Sequence, residues 1–202
     1  MRFLWVVPST ALIGLGVALL IQAELGVPPY DVLLSAIGDA TVLSHGQASW
    51  AVSGGLVLIA AVLGVRPKVV GAAYVVLAGV AVDAANRVVV TPDGVGLRVM
   101  MAVSGMLLLT GGIAVIVHTS ATGGAFELII EALAARGGNR AMLRTALELA
   151  ALGVGIIGGG AFGVMTVVVA LSLGPLIAVT LQAFADHQAG REARLVDSRV
   201  AV

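Results

Sequence analysis

The chain has 202 residues, 59% of them hydrophobic and 11% charged, with a mean hydropathy of +1.10 and 11 basic side chains balanced by 11 acidic ones. A soluble domain carries about 25% charged residues, so this chain cannot cover itself with polar surface and needs lipid as its solvent. Zero net charge gives no electrostatic reason to expect nucleic acid, which requires a basic stripe, and the absence of cysteine excludes disulfides and thiolate metal sites.

About 20 mostly apolar residues are needed to cross the hydrocarbon core as a helix. The first such stretch is 3–23. It is too long for the core of a signal peptide and no small-residue cleavage pattern follows it, so it reads as a retained span. Next comes an apolar stretch at 29–40, only about a dozen residues and too short to cross, introduced by Gly26-Val27-Pro28-Pro29. Spans are predicted at 48–65, 69–90 and 97–119. A second short apolar stretch comes at 124–135, introduced by Thr122-Gly123-Gly124, and then spans at 142–158 and 162–184. From Asp186 the chain turns polar, with Arg191, Glu192, Arg194, Asp197 and Arg199, and is expected to start helical and then fray. The expectation is an all-α polytopic membrane protein with six transmembrane helices and two short helices, re-entrant or interfacial.

Lysine and arginine concentrate on cytoplasmic loops. With the N-terminus inside, that side receives Arg2, Arg66, Lys68, Arg136, Arg140, Arg144, Arg191, Arg194 and Arg199, and the opposite side only Arg87 and Arg98. Nine against two favours both termini in the cytoplasm and supports an even number of spans.

The two short segments occupy matching places. A shift of 96 residues aligns the halves without a gap over some 25 positions. Gly16-Val17-Ala18-Leu19-Leu20-Ile21 falls on Gly112-Ile113-Ala114-Val115-Ile116-Val117, and Tyr30-Asp31-Val32-Leu33-Leu34 on Phe126-Glu127-Leu128-Ile129-Ile130. With the shift reduced by one, Gly79 falls on Gly174. Aliphatic matches are generic in lipid; an aromatic–acid pair on an aromatic–acid pair is not. The chain thus divides into two repeats, 1–95 and 96–185, with a polar tail at 186–202. Three spans per repeat is an odd number, so the second copy is inverted in the membrane, a plan common among secondary transporters. The N-termini of the two short helices are then expected to approach each other near the midplane, where their free N–H groups and partial positive charge suit an anion or a carboxylate.

At Gly26-x-Pro28-Pro29-Tyr30-Asp31-Val32-Leu33 the chain resembles the YczE family of bacterial membrane proteins, relatives of the YitT group, with Tyr30 where that family usually has tryptophan. Gly163-Val164-Met165-Thr166 and Leu173-Gly174-Pro175-Leu176-Ile177 are similar to that family's last span, and 79–83 to its counterpart in the first half. The resemblance covers nearly the whole chain and implies a polytopic protein of the bacterial inner membrane. It implies no substrate.

Ionisable groups inside a membrane are costly and often functional. Asp31 and Glu127 lead the candidates, as paired ligands or proton carriers at the tips of two opposed half-helices; the competing reading makes each an ordinary first-turn acid that the helix dipole welcomes. Tyr30, Phe126, Pro28, Gly26, Gly123 and Gly124 surround them in sequence. Gln22 and His118 stand at equivalent span ends, where a histidine can titrate or bind a ligand but more often bonds a neighbouring helix. Asp83, a further candidate binding residue, lies four before Arg87 and is more readily expected to form a local ion pair with it than a site; Arg144 and Glu148 repeat that spacing and are read the same way. Glu24 reads as a solvated helix-end acid. His45 and His187 give no metal spacing. Gly153, Gly155, Gly158, Gly159, Gly160 and Gly163 crowd the last two spans and suit close helix packing. No catalytic constellation and no cofactor motif is present, so no enzyme activity is expected. The expected function is alternating-access transport of a small solute or ion. The competing readings are a non-transporting accessory or scaffold protein, whose contact surface would be the polar tail and 136–144, and a substrate-binding subunit of a larger importer. Six helices enclose little volume, which makes a homodimer an expected arrangement.

Overall fold

The computed structural model describes residues 5–66, 69–120 and 124–200, with side chains over the same residues except 119–120 and 186–200. Among the described residues there are eight helices and no strand: α1 (Val6–Ala23), α2 (Pro29–Ala40), α3 (His45–Val62), α4 (Val69–Asn86), α5 (Val95–Ser120), α6 (Ala125–Ala134), α7 (Arg140–Ile157) and α8 (Val164–Val200). The order long, short, long, long is thus written twice.

Four helices are long and apolar enough to cross a membrane, over Val6–Ala23, Val69–Asn86, Val95–His118 and Val164–Ala185. The other two expected spans, α3 and α7, are each 18 residues long. They are the more polar pair: α3 opens on His45, Gln47 and Ser49, and α7 carries Arg140, Arg144 and Glu148. The tail does not break after Asp186; α8 continues as one helix to Val200. Pro175 sits inside α8, where its ring removes one backbone N–H from the ladder.

Local chemistry explains the helix starts. Pro29 occupies the first turn of α2, where a missing N–H costs nothing, and Asp31 lies against the positive helix end. A capping box starts α3: the Ser44 hydroxyl accepts the Gln47 N–H at 3.2 Å, and Gln47 Oε1 accepts the Ser44 N–H at 3.0 Å. Asn139 starts α7 by accepting the N–H groups of Ala141 and Met142.

Of the four spans, α1 is the most enclosed, with 56% of its residues buried against 17% for α4 and for the span of α8. It packs on α4 and α5; α5 in turn packs on α8, α2 on α7, and α3 on both α4 and α6. Ile13, Val17 and Leu20 of α1 meet Val82, Ala102, Leu109, Met165 and Val169 in one apolar core. Backbones touch where α1 crosses α5: a Cβ on Gly16 would stand 2.6 Å from Leu109 N, and one on Gly105 2.7 Å from Gly16 O. In lipid, where hydrophobicity does not drive helices together, such close approach supplies the packing energy. The outward faces carry Leu58, Val76, Met100, Leu107, Leu171 and Val179, all exposed and apolar. This is the surface of a helical membrane protein, with its backbone polar groups satisfied inside helices and its apolar side chains turned to lipid.

Candidate functional site

Between α1 and α2 the chain makes a tight turn docked on the segment before α8. Val27 N–H donates to Ala161 O at 3.2 Å, and Met165 N–H donates to Leu25 O at 2.9 Å. Gly26 holds φ +104°, and a Cβ there would lie 2.6 Å from Gly163 N and 2.7 Å from Thr166 Oγ1. Only glycine satisfies both demands. Gly26 and Pro28 therefore position α2. Once launched, α2 lies on the C-terminal end of α7, so closely that a Cβ on Gly155 would stand 2.6 Å from Leu33 N. The Ser35 hydroxyl fastens this seam, accepting the Ala161 N–H at 2.8 Å.

The first turns of the two short helices meet. Tyr30 and Phe126 pack edge to face, with ring centroids 5.0 Å apart and planes at 87°. The Tyr30 hydroxyl is 3.4 Å from Ser53 Oγ, on the ninth of the 18 residues of α3, so the meeting point lies beside the middle of that helix. Tyr74 of α4 stands within electrostatic reach of Tyr30 and Asp31. It also faces Gly124, where a Cβ would be 3.8 Å from its ring. Gly123 lies outside the described residues.

Next to Tyr30, Asp31 is 8% exposed and lies 2.8 Å from His45 Nε2. His45 is the first residue of α3, and its side chain is 10% exposed. Asp83 is fixed on the same turn: its carboxylate accepts the Ser44 hydroxyl at 2.5 Å and the Gly46 N–H at 2.8 Å. This corrects the expected Asp83–Arg87 pair. The Gly46 N–H and the Ser44 hydroxyl at the start of α3 offer the carboxylate charge-assisted bonds in a half-buried seam, whereas Arg87 is exposed. Among the described residues no ion pair joins the two.

Glu127 has a different setting. It binds Arg144 at 2.6 Å, and Arg144 also binds Glu148 at 3.1 Å, so the expected pair on α7 is present with a third member. Glu127 is 41% exposed. It lines a cleft of about 640 Å³ between α3, α4 and α6, together with Trp50, Ser53, Arg66 and Glu131. Asp31 is not part of that lining. Arg136 braces the wall, donating to Ala132 O at 2.8 Å and to Leu63 O at 2.9 Å. The two carboxylates thus share a neighbourhood through Tyr30 and Phe126 but not a cavity: Asp31 is sealed against His45, and Glu127 stands at an open cleft.

Gln22 and His118 lie apart from this centre. Gln22 Oε1 accepts the Thr91 hydroxyl at 2.8 Å, and the His118 ring packs on Phe184 with centroids 5.5 Å apart. Glu24 is solvated, as expected, but also binds Arg98 at 2.7 Å. Sequence reasoning misses His45 and Ser53. The one signal that points to His45 is its place beside a capping serine at the start of a helix next to the candidate acid.

No curated protein and no solved structure matches the chain. One family model matches residues 1–182, from the first span through nearly all of the last. The chain belongs to that family, a family of unknown function designated DUF6198.

Proposed function

We propose that the protein is a transporter of a small solute or ion, working by alternating access in the bacterial inner membrane with both termini cytoplasmic. In this reading α3 and α7 join the four long apolar helices as spans, giving six. The halves 1–95 and 96–185 are inverted repeats, and the kinship is with the YczE-type proteins. The observation that carries the reading is the contact of Tyr30 with Phe126. These residues are equivalent under the 96-residue shift, and each opens a helix too short to cross. Their meeting puts two helix N-termini beside the middle of α3, the arrangement that a centrally placed binding site needs. Packing also pairs up between halves: α1 on α4 matches α5 on α8, and α2 on α7 matches α6 on α3.

The two carboxylates then describe one state of a cycle. The Asp31 side is closed by an ion-pair seal, and the Glu127 side is open through its cleft. Exchange of these conditions is alternating access. The test is uptake of labelled amino acids, carboxylates and monovalent ions into vesicles containing the purified protein. Flux of at least one class is expected, with loss of that flux in Asp31→Asn although the variant inserts and purifies normally. Unchanged flux in Asp31→Asn removes Asp31 from the mechanism.

A scaffold function is the second reading, favoured by the exposed start of α7, where Arg140 and Met142 face outward. Recovery of a stoichiometric membrane partner, with no flux of any probe, would put it first.

A further inference from the structure

We infer that the Asp31–His45 pair is a proton-binding site, so that the coupling ion is the proton. This rests on the transporter reading and assigns its energy source.

The two equivalent acids differ in the kind of base they hold. Glu127 is held by arginine, which keeps its charge at every accessible pH, and their side chains are 41% and 57% exposed. Asp31 is held by histidine, the side chain that exchanges protons near neutrality, and this pair is 12% and 10% exposed. A buried pair sharing one proton is neutral as a unit. Removing the proton leaves net negative charge in a place where water cannot spread it, which is costly. Proton loss therefore has structural consequences at Asp31 that no ordinary pH change can produce at Glu127.

The surrounding charges fix the direction. From α4, Asp83 is bound to Ser44 and Gly46, the residues on either side of His45. From α2, Tyr30 adjoins Asp31, and Tyr74 of α4 is within electrostatic reach of both. The neighbouring charges of α6 and α7, namely Glu127, Arg144 and Glu148, are bound to one another, and α8 has no charged residue over 164–185. With His45 protonated, one cation on the first turn of α3 answers two carboxylates, and the seam between α2 and α3 holds. With His45 neutral, Asp31 on His45 and Asp83 on Ser44 and Gly46 have only the positive end of α3 to balance them. The sealed state thus holds while the pair keeps its shared proton and weakens when that proton is lost at higher pH. Opening on the Asp31 side then closes the cleft on the Glu127 side, and one proton is exchanged per turn of the cycle.

The chain has no cysteine, so one introduced thiol reports without background. Gly54 lines the cleft, and a Cβ there meets nothing within 4 Å. Gly54→Cys in the full-length protein, in phosphatidylethanolamine–phosphatidylglycerol vesicles, would be labelled with a hydrophilic maleimide over a pH series from about 5.5 to about 8.5. Each rate is normalised to the same protein unfolded in SDS at that pH. Labelling is expected to fall about five-fold or more as pH rises, the lower end of coupling between sites. The step should vanish in His45→Gln and in Asp31→Asn, and persist in Arg98→Gln. A flat profile in the parent, or a step that survives His45→Gln, overturns the inference. If His45→Gln does not fold, histidine-labelled nitrogen NMR on the His118→Gln/His187→Gln protein decides. An unchanging His45 ring across the range overturns the proton site; a titration that moves with Asp31→Asn sustains it. A flat profile in a protein that carries flux defeats the proton and leaves transport standing. A full pH step without flux of any probe sustains the proton site and defeats transport.

Discussion

The turns that open α2 and α6 have the same pattern, an aromatic, an acid and a run of aliphatics, yet they hold their acids in opposite ways. Around α2 the glycines at the end of α7 bring backbone against backbone, and Asp31 is enclosed with a single titratable partner. Around α6 the wall is looser, and Glu127 shares Arg144 with Glu148 beside an open cleft. The difference comes from the segment downstream of each short helix. After α2 the chain enters a capped α3 within five residues, bringing His45 and Asp83 onto one turn; after α6 it passes through Arg136 and Arg140 to Arg144. Similar local sequence therefore sets the direction of a helix, and the burial of the partner sets what its acid is worth. An exposed pair contributes about 0–1 kcal/mol, whereas breaking an enclosed one costs several times that.

The sharpest way to break this comparison is at the packing seams. Gly155→Leu drives a side chain into the α2 backbone and is expected to cost upward of about 3 kcal/mol, the top of the overpacking range. It should leave no monodisperse folded species on gel filtration in detergent. Gly54→Leu on α3, which meets open space, should change thermal stability by about 0.5 kcal/mol or less.

Next in size are the acids themselves. Asp31→Ala strands His45 and is expected to cost about 3–5 kcal/mol; Glu127→Ala should cost about 0–1 kcal/mol. Tryptophan-detected unfolding in detergent measures both, and equal losses would erase the distinction between the two environments. Asp83→Ala removes two bonds from the start of α3 and should cost about 1–2 kcal/mol, comparable to losing an N-cap. Arg87→Ala should be close to neutral, which separates the cap from the ion pair that spacing suggests. Smallest is the aromatic contact: Phe126→Leu should lose about 0.5–1.5 kcal/mol beyond area, and Tyr30→Phe, which keeps the edge-to-face geometry, less than that.

Much of the architecture is legible in the sequence because lipid makes length and apolarity decisive. The short helix expected at 29–40 is α2 at those bounds, and the one expected at 124–135 is Ala125–Ala134. Helix-start chemistry is readable for a related reason: Pro29 and Gly124 act locally. Contacts across the fold are beyond the reach of spacing. Asp83 and Arg87 are neighbours by periodicity, but the carboxylate finds the Gly46 N–H 37 residues upstream and the Ser44 hydroxyl beside it. His45 reads only as a histidine without metal spacing, because nothing local shows that α2 will fold back over it. Periodicity pairs Arg144 with Glu148 but not with Glu127, 17 residues away on another helix. The tail reads as frayed because its charges repel lipid, yet charge does not forbid a helix in water, and α8 simply continues.

The enclosure of α1 has a consequence for biosynthesis. The most buried of the four spans is made before the helices that enclose it, and its main partner, α5, begins only after 71 further residues have been made. At about 5–20 residues per second that is a wait of some 4–14 s in or beside the translocation machinery. During it, α1 faces lipid on surfaces destined for protein. Ser9 and Thr10, fully enclosed in the finished molecule, satisfy their hydroxyls on the carbonyls of Trp5, Val6 and Val7 within the same helix. The newborn helix therefore carries its polar groups already paired, and can reside in the bilayer alone until the rest of the chain arrives to surround it.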